Sequence, residues 1–336
     1  MIRSIVRSTG RYLPPRVVTN ADLTRWMDTS DEWIRQRTGV EERRWVPEEG
    51  GVGASDLALE AARVALGRAG WTPADLDLII FATLSPDIFF PGPGCLLQHK
   101  LGLTRTPALD IRQQCTGFLY GLATADAFIR SGQARRVLLA CAEVHSTGLD
   151  ISTRGRDVAV IFGDGAAAVC VEAVETDRPT GILAAALHAD GSLAESLMTE
   201  ACASRLSPRI SHALLDEGRH YPRMEGRVIF KEAVTRLPEV TREVLAQAGL
   251  ALEDVDLFIP HQANLRINQF YQETMKLPEG KVFHNIQRYG NTTAASIPIA
   301  LDEALEAGRV GAGSTLLFLA LGAGLTWGAV LCRLPE

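Results

Sequence analysis

Apolar residues fall into two recurring patterns along this chain. LALEAARVALGRAG (57–70) and EVTREVLAQAG (239–249) place apolar residues every three or four positions, the spacing of amphipathic helices. LIIFAT (78–83) and LFIP (257–260) are short apolar runs without alternation, as expected of strands covered on both faces. Each helical stretch is followed by one such run. Helices alternating with buried strands predict an α/β protein with largely parallel sheets between helices.

The patterns also repeat. AGWTPADLDLIIFATLSP begins at Ala69 and AGLALEDVDLFIPHQAN at Ala248, and Asp75 and Asp77 match Asp254 and Asp256 at an offset of 179. Downstream, Cys115 stands 17 residues before Gly132 and Asn291 stands 17 before Gly308, each opening a predicted helix that a glycine closes. Aligned on those glycines the offset is 176, which predicts a three-residue gap between the matched blocks. A third, weaker match sets FGDGAAAVCV (from Phe162) beside LGAGLTWGAV (from Leu321). Three matches in one order predict a duplicated chain. The expected halves are 1–175 and 176–336, stacked with pseudo-two-fold symmetry, with the boundary in the polar stretch near 172–180. This alignment puts Cys115 and Asn291 at equivalent positions and His261 just after a repeated strand.

Composition changes this picture little. The 336 residues are 46% hydrophobic and 22% charged, as in a soluble globular protein, and a net charge of −6 gives no overall attraction to nucleic acid. No apolar run reaches the length of a membrane span, and MIRSIVRSTGRYLPPRVV lacks the core of a signal peptide. The six cysteines form no C-x-x-C pair, and several lie in apolar runs. Such use suits a reducing compartment, so a cytoplasmic protein is expected.

Three residues carry candidate chemistry. Cys115 lies between a strand-like run and a helix, where unpaired N–H groups and the helix dipole favour a thiolate and can face an oxyanion. A structural cysteine is the alternative, accepted for the other five. His261 follows a buried strand, where α/β proteins place ligands, although a satisfied core histidine is an equal reading. Asn291 in RYGNTTAAS can cap a helix, serve catalysis, or do both. The other histidines show no metal-ligand spacing, and FGDG and LGAG match neither a Walker nor a dinucleotide fingerprint. No metal and no nicotinamide are expected, and the glycines are read as close backbone packing.

DEWIRQRTGVEERR (31–44), CTGF (115–118), FGDGAAA (162–168), HQANLRI (261–267), YGNTTAAS (289–296) and GAGLTWG (322–328) together resemble the β-ketoacyl-acyl carrier protein synthase III family, in order and over nearly the whole chain. The resemblance implies the thiolase fold, layered α-β-α-β-α, and a homodimer. It implies no permanently bound cofactor, with acyl-CoA and phosphopantetheine-linked acyl carrier protein as substrates. Cys115 would take an acyl group as a thioester. His261 and Asn291 would hold a malonyl thioester carbonyl while CO₂ leaves, and the carbanion would attack acyl-Cys115 to give a β-ketoacyl product. Backbone N–H groups of Cys115 and Ala323 would form a second oxyanion hole. Trp33, Arg37 and Arg156 would grip the nucleotide of coenzyme A, and Asn264 would support the active-site network and bind the coenzyme A or phosphopantetheine arm. Lys231, Arg266 and Lys276 would face the acidic carrier protein, and Phe90 would reach across the dimer to bound the acyl pocket. Taken alone, the charge run at 31–44 reads as a solvated amphipathic helix.

Two features depart from the family pattern. Arg112, Gln113 and Gln114 precede the cysteine where small residues are common, and the stretch 192–223 is long. The long stretch is expected to reshape the acyl channel or its entrance. Relatives in specialised metabolism that join longer acyl chains, including to α-pyrones, or transfer acyl groups to oxygen or nitrogen are a second reading. Two further classes are a non-catalytic partner subunit and a papain-like hydrolase. The hydrolase shares the Cys…His…Asn order but not the local cysteine signature.

Overall fold

The computed structural model describes residues 1–336. The first half runs through β1 (Ile2–Tyr12), β2 (Arg16–Thr19), α1 (Asn20–Leu23), α2 (Asp31–Thr38), β3 (Glu42–Trp45), α3 (Ala54–Ala69), β4 (Leu78–Ala82), α4 (Pro93–Lys100), β5 (Ala108–Ile111), α5 (Gly117–Arg130), β6 (Arg136–Glu143), α6 (Arg156–Ala159) and β7 (Gly165–Glu175). The second contains β8 (Gly181–Ala189), β9 (Leu197–Thr199), α7 (His212–Asp216), β10 (Pro222–Met224), α8 (Gly226–Ala248), β11 (Leu257–Pro260), α9 (Leu265–Thr274), α10 (Ile286–Tyr289), α11 (Ser296–Glu306), β12 (Thr315–Gly322) and β13 (Thr326–Arg333).

One sheet has the order β1-β7-β6-β4-β5 and the other β8-β13-β12-β11. Both read antiparallel, antiparallel, parallel in matching order. The fifth position of the second sheet is reduced to a parallel bridge between Phe258 and Val282. Leu78, Ile80 and Ala82 of β4 pack into the core between the sheets, whereas Ile79 and Phe81 pack outward against α3. Leu316 and Phe318 of β12 likewise face inward, and Leu317 and Leu319 face the α8 and α9 side. This two-sided burial explains the unbroken apolar runs. Helices α5 and α11 fill the middle layer, with Phe118 edge-on to Phe318 at 5.5 Å. The layers are helix, sheet, helix, sheet, helix.

The repeat is more regular than the glycine alignment predicts. Short 3₁₀ turns at Gln114–Thr116 and Thr293–Ala295, the starts of α5 and α11, and the starts of β6 and β12 all match at 179. Cys115 therefore corresponds to Ala294, and Asn291 stands three residues ahead of the equivalent place. The gap of three is an artefact of helix length: α11 has 11 residues against 14 in α5, so its closing glycine arrives three residues early. Gln114 (φ 43°) and Thr293 (φ 46°) share the same unusual left-handed backbone at matching positions. The halves diverge between sheet strands: residues 144–164 join β6 to β7, but only 323–325 join β12 to β13.

The charge run at 31–44 is not one solvated helix. Gly39, at φ 79°, ends α2, and the following residues form β3, paired with β2. Arg43 is wholly buried there, donating to Val18 O, Asn20 Oδ1 and Val160 O.

Candidate active site

Cys115 sits in the 3₁₀ turn that opens α5 and is 7% exposed. The end of β12 lies against it, because a Cβ on Gly322 would be 2.6 Å from Cys115 Cβ and 3.1 Å from Sγ. Only glycine permits that approach. The N–H groups of Ala323 and of Cys115 itself lie near enough to the sulfur to favour its ionised form. The Thr116 and Thr326 hydroxyls are 2.8 Å apart, and Thr326 reaches the Ala323 carbonyl, tying this turn to α5.

The expected thiolate is not what the site favours. Burial, with the Glu143 carboxyl beside it, pushes the Cys115 thiol up to about 12, against the pull of the two N–H groups. Desolvation outweighs the helix end because protein atoms replace most of the water around the sulfur.

His261 follows β11 and is 4% exposed. Its N–H donates to Leu319 O, and its Nδ1 lies 2.6 Å from Ser296 Oγ at the start of α11. Ser296 Oγ accepts from the Gln262 N–H, so its own proton is available for Nδ1. That places the imidazole proton on Nε2, which is buried without a partner. Burial, then the nearby His145, lowers the His261 pKa to about 3, so the ring is neutral.

Asn291 is 5% exposed and is fixed by its backbone to Ile161 and Gly163. Its Oδ1 accepts from the Thr293 N–H at 2.8 Å, which turns the amide NH₂ outward as a free donor. The three loops converge: a Cβ on Gly117 would touch Ala294 at 3.0 Å, and Ser296 joins His261 to the Asn291 helix.

A cavity of about 500 Å³ opens on Cys115 and Ala323. Neither His261 nor Asn291 lines it; His261 lines a small crevice with Ile229 and Ile267. The long stretch 192–223 supplies Ala194, Leu197, Met198, Thr199, His220 and Pro222 to the cavity wall. It is pinned by the short β9–β10 ladder and the Arg219–Glu200 ion pair. Arg112 and Gln114 also face the cavity, which gives the unusual residues before the cysteine a place.

A second cavity, about 580 Å³, holds Trp33, Arg37, Asn264 and Arg266 together with Arg227 and Phe230. The Arg37 and Arg156 guanidiniums each lie over the Trp33 ring, at 4.5 and 4.6 Å from its centre. Asn264 caps α9 and donates to Arg37 O, so it belongs to this cavity and not to the one at Cys115. Lys231 and Arg266 are exposed on α8 and α9, which Phe230 and Phe270 hold together, whereas Lys276 lies past the far end of α9. Phe90 is 78% exposed and outside the Cys115 cavity of its own chain, beside exposed Ile88 and Phe89.

Several site residues escaped sequence reasoning. Ser296 and Gly322 lay inside quoted motifs without a role. His145 lines the cavity and bonds Thr293 at 2.8 Å. Asp164 of FGDG accepts from Val46, His145 and Ser146, while a Cβ on Gly163 would strike Tyr289 O at 2.2 Å. Arg227 had no signal beyond its charge. No cluster of three or more His, Cys, Asp or Glu could hold a metal ion, and no helix is long and apolar enough to cross a membrane.

Two stacked sheets around paired central helices, with a cysteine at the start of one, define a condensing enzyme of the thiolase fold. Residues 109–191 match the model for 3-oxoacyl-[acyl-carrier-protein] synthase III, and residues 245–334 match its C-terminal model. The β-ketoacyl-[acyl-carrier-protein] synthase III of Aquifex aeolicus is 47% identical over 97% of both chains. The solved 3-oxoacyl-(acyl carrier protein) synthase III of Pseudomonas aeruginosa PAO1 is 37% identical, with a TM-score of 0.89 over 99% of each chain. The priming β-ketosynthase of the R1128 polyketide biosynthetic pathway is 31% identical, with a TM-score of 0.87 over 99% of this chain and 97% of that one. This chain belongs to the β-ketoacyl-[acyl-carrier-protein] synthase III family.

Proposed function

We propose that the protein loads an acyl group from acyl-CoA onto Cys115 and condenses it with a malonyl unit on acyl carrier protein, releasing CO₂ and a β-ketoacyl thioester. The observation that carries the residue roles is the pair of free donors, His261 Nε2–H and the Asn291 amide, on loops that meet at Cys115. They hold the malonyl thioester oxygen as it becomes an enolate oxygen. The N–H groups of Cys115 and Ala323 stabilise the tetrahedral oxyanion formed on the acyl group.

Trp33, Arg37 and Arg156 take the nucleotide of coenzyme A at the 580 Å³ cavity, with Asn264 beside them, and the pantetheine arm runs from there to Cys115. Lys231 and Arg266 meet the acidic carrier, with Lys276 at the edge of the footprint. The acyl chain enters the 500 Å³ cavity, whose wall the 192–223 stretch reshapes. The enzyme works as a homodimer in the cytoplasm, with Phe90 of each subunit closing its neighbour's acyl pocket. That role accounts for the solvent-facing Ile88–Phe90 cluster and the exposed edge of β5. The two halves, 1–175 and 176–336, descend from one duplicated unit, which their common 179-residue register supports.

The test separates the two half-reactions. Asn291→Ala and His261→Ala should still acylate Cys115 but lose condensation by about 10²–10³-fold. Equal loss of both half-reactions would refute the assignment.

A further inference from the structure

We propose that Glu143 and Ser85 form a proton store for the Cys115 cavity: Glu143 takes up, through Ser85, the proton that Cys115 loses on acylation, and returns it when condensation frees the sulfur. This rests on the acyl-loading reading above. Because it acts through Ser85, Glu143 is a positioning residue and touches no reacting atom itself.

Glu143 ends β6 and is wholly buried. It accepts from Ser85 Oγ at 2.6 Å, Thr83 Oγ1 at 3.0 Å, Leu84 N at 3.2 Å and Ala294 N at 3.5 Å. Every one of these donors is uncharged. No cation holds the carboxylate ionised, and burial raises its pKa to about 7 despite the four donor groups. The carboxyl can therefore take and release a proton near neutrality. Ser85 is the exit. Its hydroxyl donates to Glu143, accepts from Val144 N at 2.9 Å, and lines the Cys115 cavity. The cavity, about 500 Å³ and largely apolar, has room for water to bridge the remaining gap, and the side chains of Gln114, His145 and Thr293 offer that water polar partners beside Ser85.

Of the groups around the cavity, Arg112 is a cation and accepts no proton, and His220, whose Nδ1 has no partner, is the one other acceptor, to which an inflection that persists without Glu143 would belong; the rest are engaged elsewhere. The Cys115 and Cys141 thiols are buried and pushed upward. His261 Nδ1 is engaged by Ser296 and His145 Nε2 by Thr293, and both rings are held neutral. Asp164, next to β7, is occupied by backbone N–H groups and Ser146, and Asp87 by Ser55. From the Asn291–Ser296 loop nothing titratable faces Glu143.

The proton count closes. On loading, the Cys115 S–H bond breaks, sulfur bonds the acyl carbon, Glu143 carboxylate becomes carboxylic acid, and coenzyme A leaves as a thiolate that solvent protonates. On condensation, the malonyl C–C bond breaks to give CO₂, the carbanion bonds the acyl carbon, and the C–S bond breaks. The Cys115 thiolate then receives the proton, leaving Glu143 ionised for the next turn. One solvent proton is consumed per cycle, as loss of CO₂ from a carboxylate requires.

The experiment uses Glu143→Gln and Ser85→Ala in the full-length protein. Single-turnover acylation of Cys115 by acyl-CoA is followed by mass spectrometry from pH 5.5 to 9, and iodoacetamide alkylation of Cys115 is measured alongside. The wild-type acylation rate should rise through one ionisation near pH 7. Both variants should lose that inflection and acylate at least about 10-fold slower at pH 8, at the low end for general-base help. Alkylation, which takes the same proton from Cys115, should lose the same inflection in both variants. An inflection that survives in either variant, in acylation or in alkylation, would overturn the proposal. Absence of any acyl adduct in the wild type would instead remove the loading reading beneath it.

Discussion

Gly322→Ala tests the closest packing in the site. The added Cβ would fall 2.6 Å from Cys115 Cβ and 3.1 Å from both Cys115 N and Sγ. Two of those atoms belong to the Cys115 side chain and one to its backbone, so no flexible tip can swing away. Overpacking of this kind costs about 1–3 kcal/mol of stability. For a chain of this length that corresponds to a drop of about 1–4 °C in Tm. The effect on chemistry should be larger. Under the proposed roles, shifting Cys115 from the Ala323 N–H weakens an oxyanion contact, and displacements approaching 1 Å cost about 10²-fold. Calorimetry and single-turnover acylation read the two quantities separately. Gly67→Ala is the matched control, because nothing lies within 4 Å of its Cβ and it sits exposed in α3. It should gain about 0.5–1 kcal/mol and leave acylation unchanged. If Gly322→Ala acylates within twofold of wild type, the close approach has no catalytic consequence and the reasoning fails.

Other consequences concern stability and chain length. Folded pKa values of about 3 for buried His145 and His261 and about 4 for His284, against 6.5 unfolded, mean that the unfolded state binds three more protons below pH 6.5. Glu143, raised to about 7 from 4.5, binds its proton in the folded state and offsets one of them. Denaturant titrations should show stability falling by about 3 kcal/mol from pH 6.5 to 5, at roughly 1.4 kcal/mol per pH unit per proton, and His145→Asn should flatten that slope. Arg43→Met strands Val18 O, Asn20 Oδ1 and Val160 O, so urea unfolding should report a loss of about 2–4 kcal/mol. Ala194→Phe fills part of the Cys115 cavity, so mass spectrometry should show loading of longer acyl-CoA thioesters falling at least about 10-fold while acetyl loading is spared.

Much of the architecture was legible because buried strands leave unmistakable apolar runs and the halves repeat. Cys115, His261 and Asn291 stood out because each is a polar group at the end of an apolar element. What misled was length: aligning on Gly132 and Gly308 hid a helix three residues shorter, and so placed Asn291 opposite Cys115. Local patterns also cannot weigh burial against a helix end, so the Cys115 thiol was expected to be acidic when desolvation raises it. Glu143, His145 and Arg43 went unnoticed for the same reason. A polar residue in an apolar run shows its partners only when the strands and loops around it are assembled.

The most direct measurement is intact-protein and peptide mass spectrometry with acyl-CoA, followed by a chase with malonyl-acyl carrier protein and detection of CO₂. An acyl adduct on Cys115 that disappears on the chase, with one CO₂ and one β-ketoacyl product for each adduct lost, is the predicted result. An adduct that survives the chase, or forms on another residue, would contradict the account.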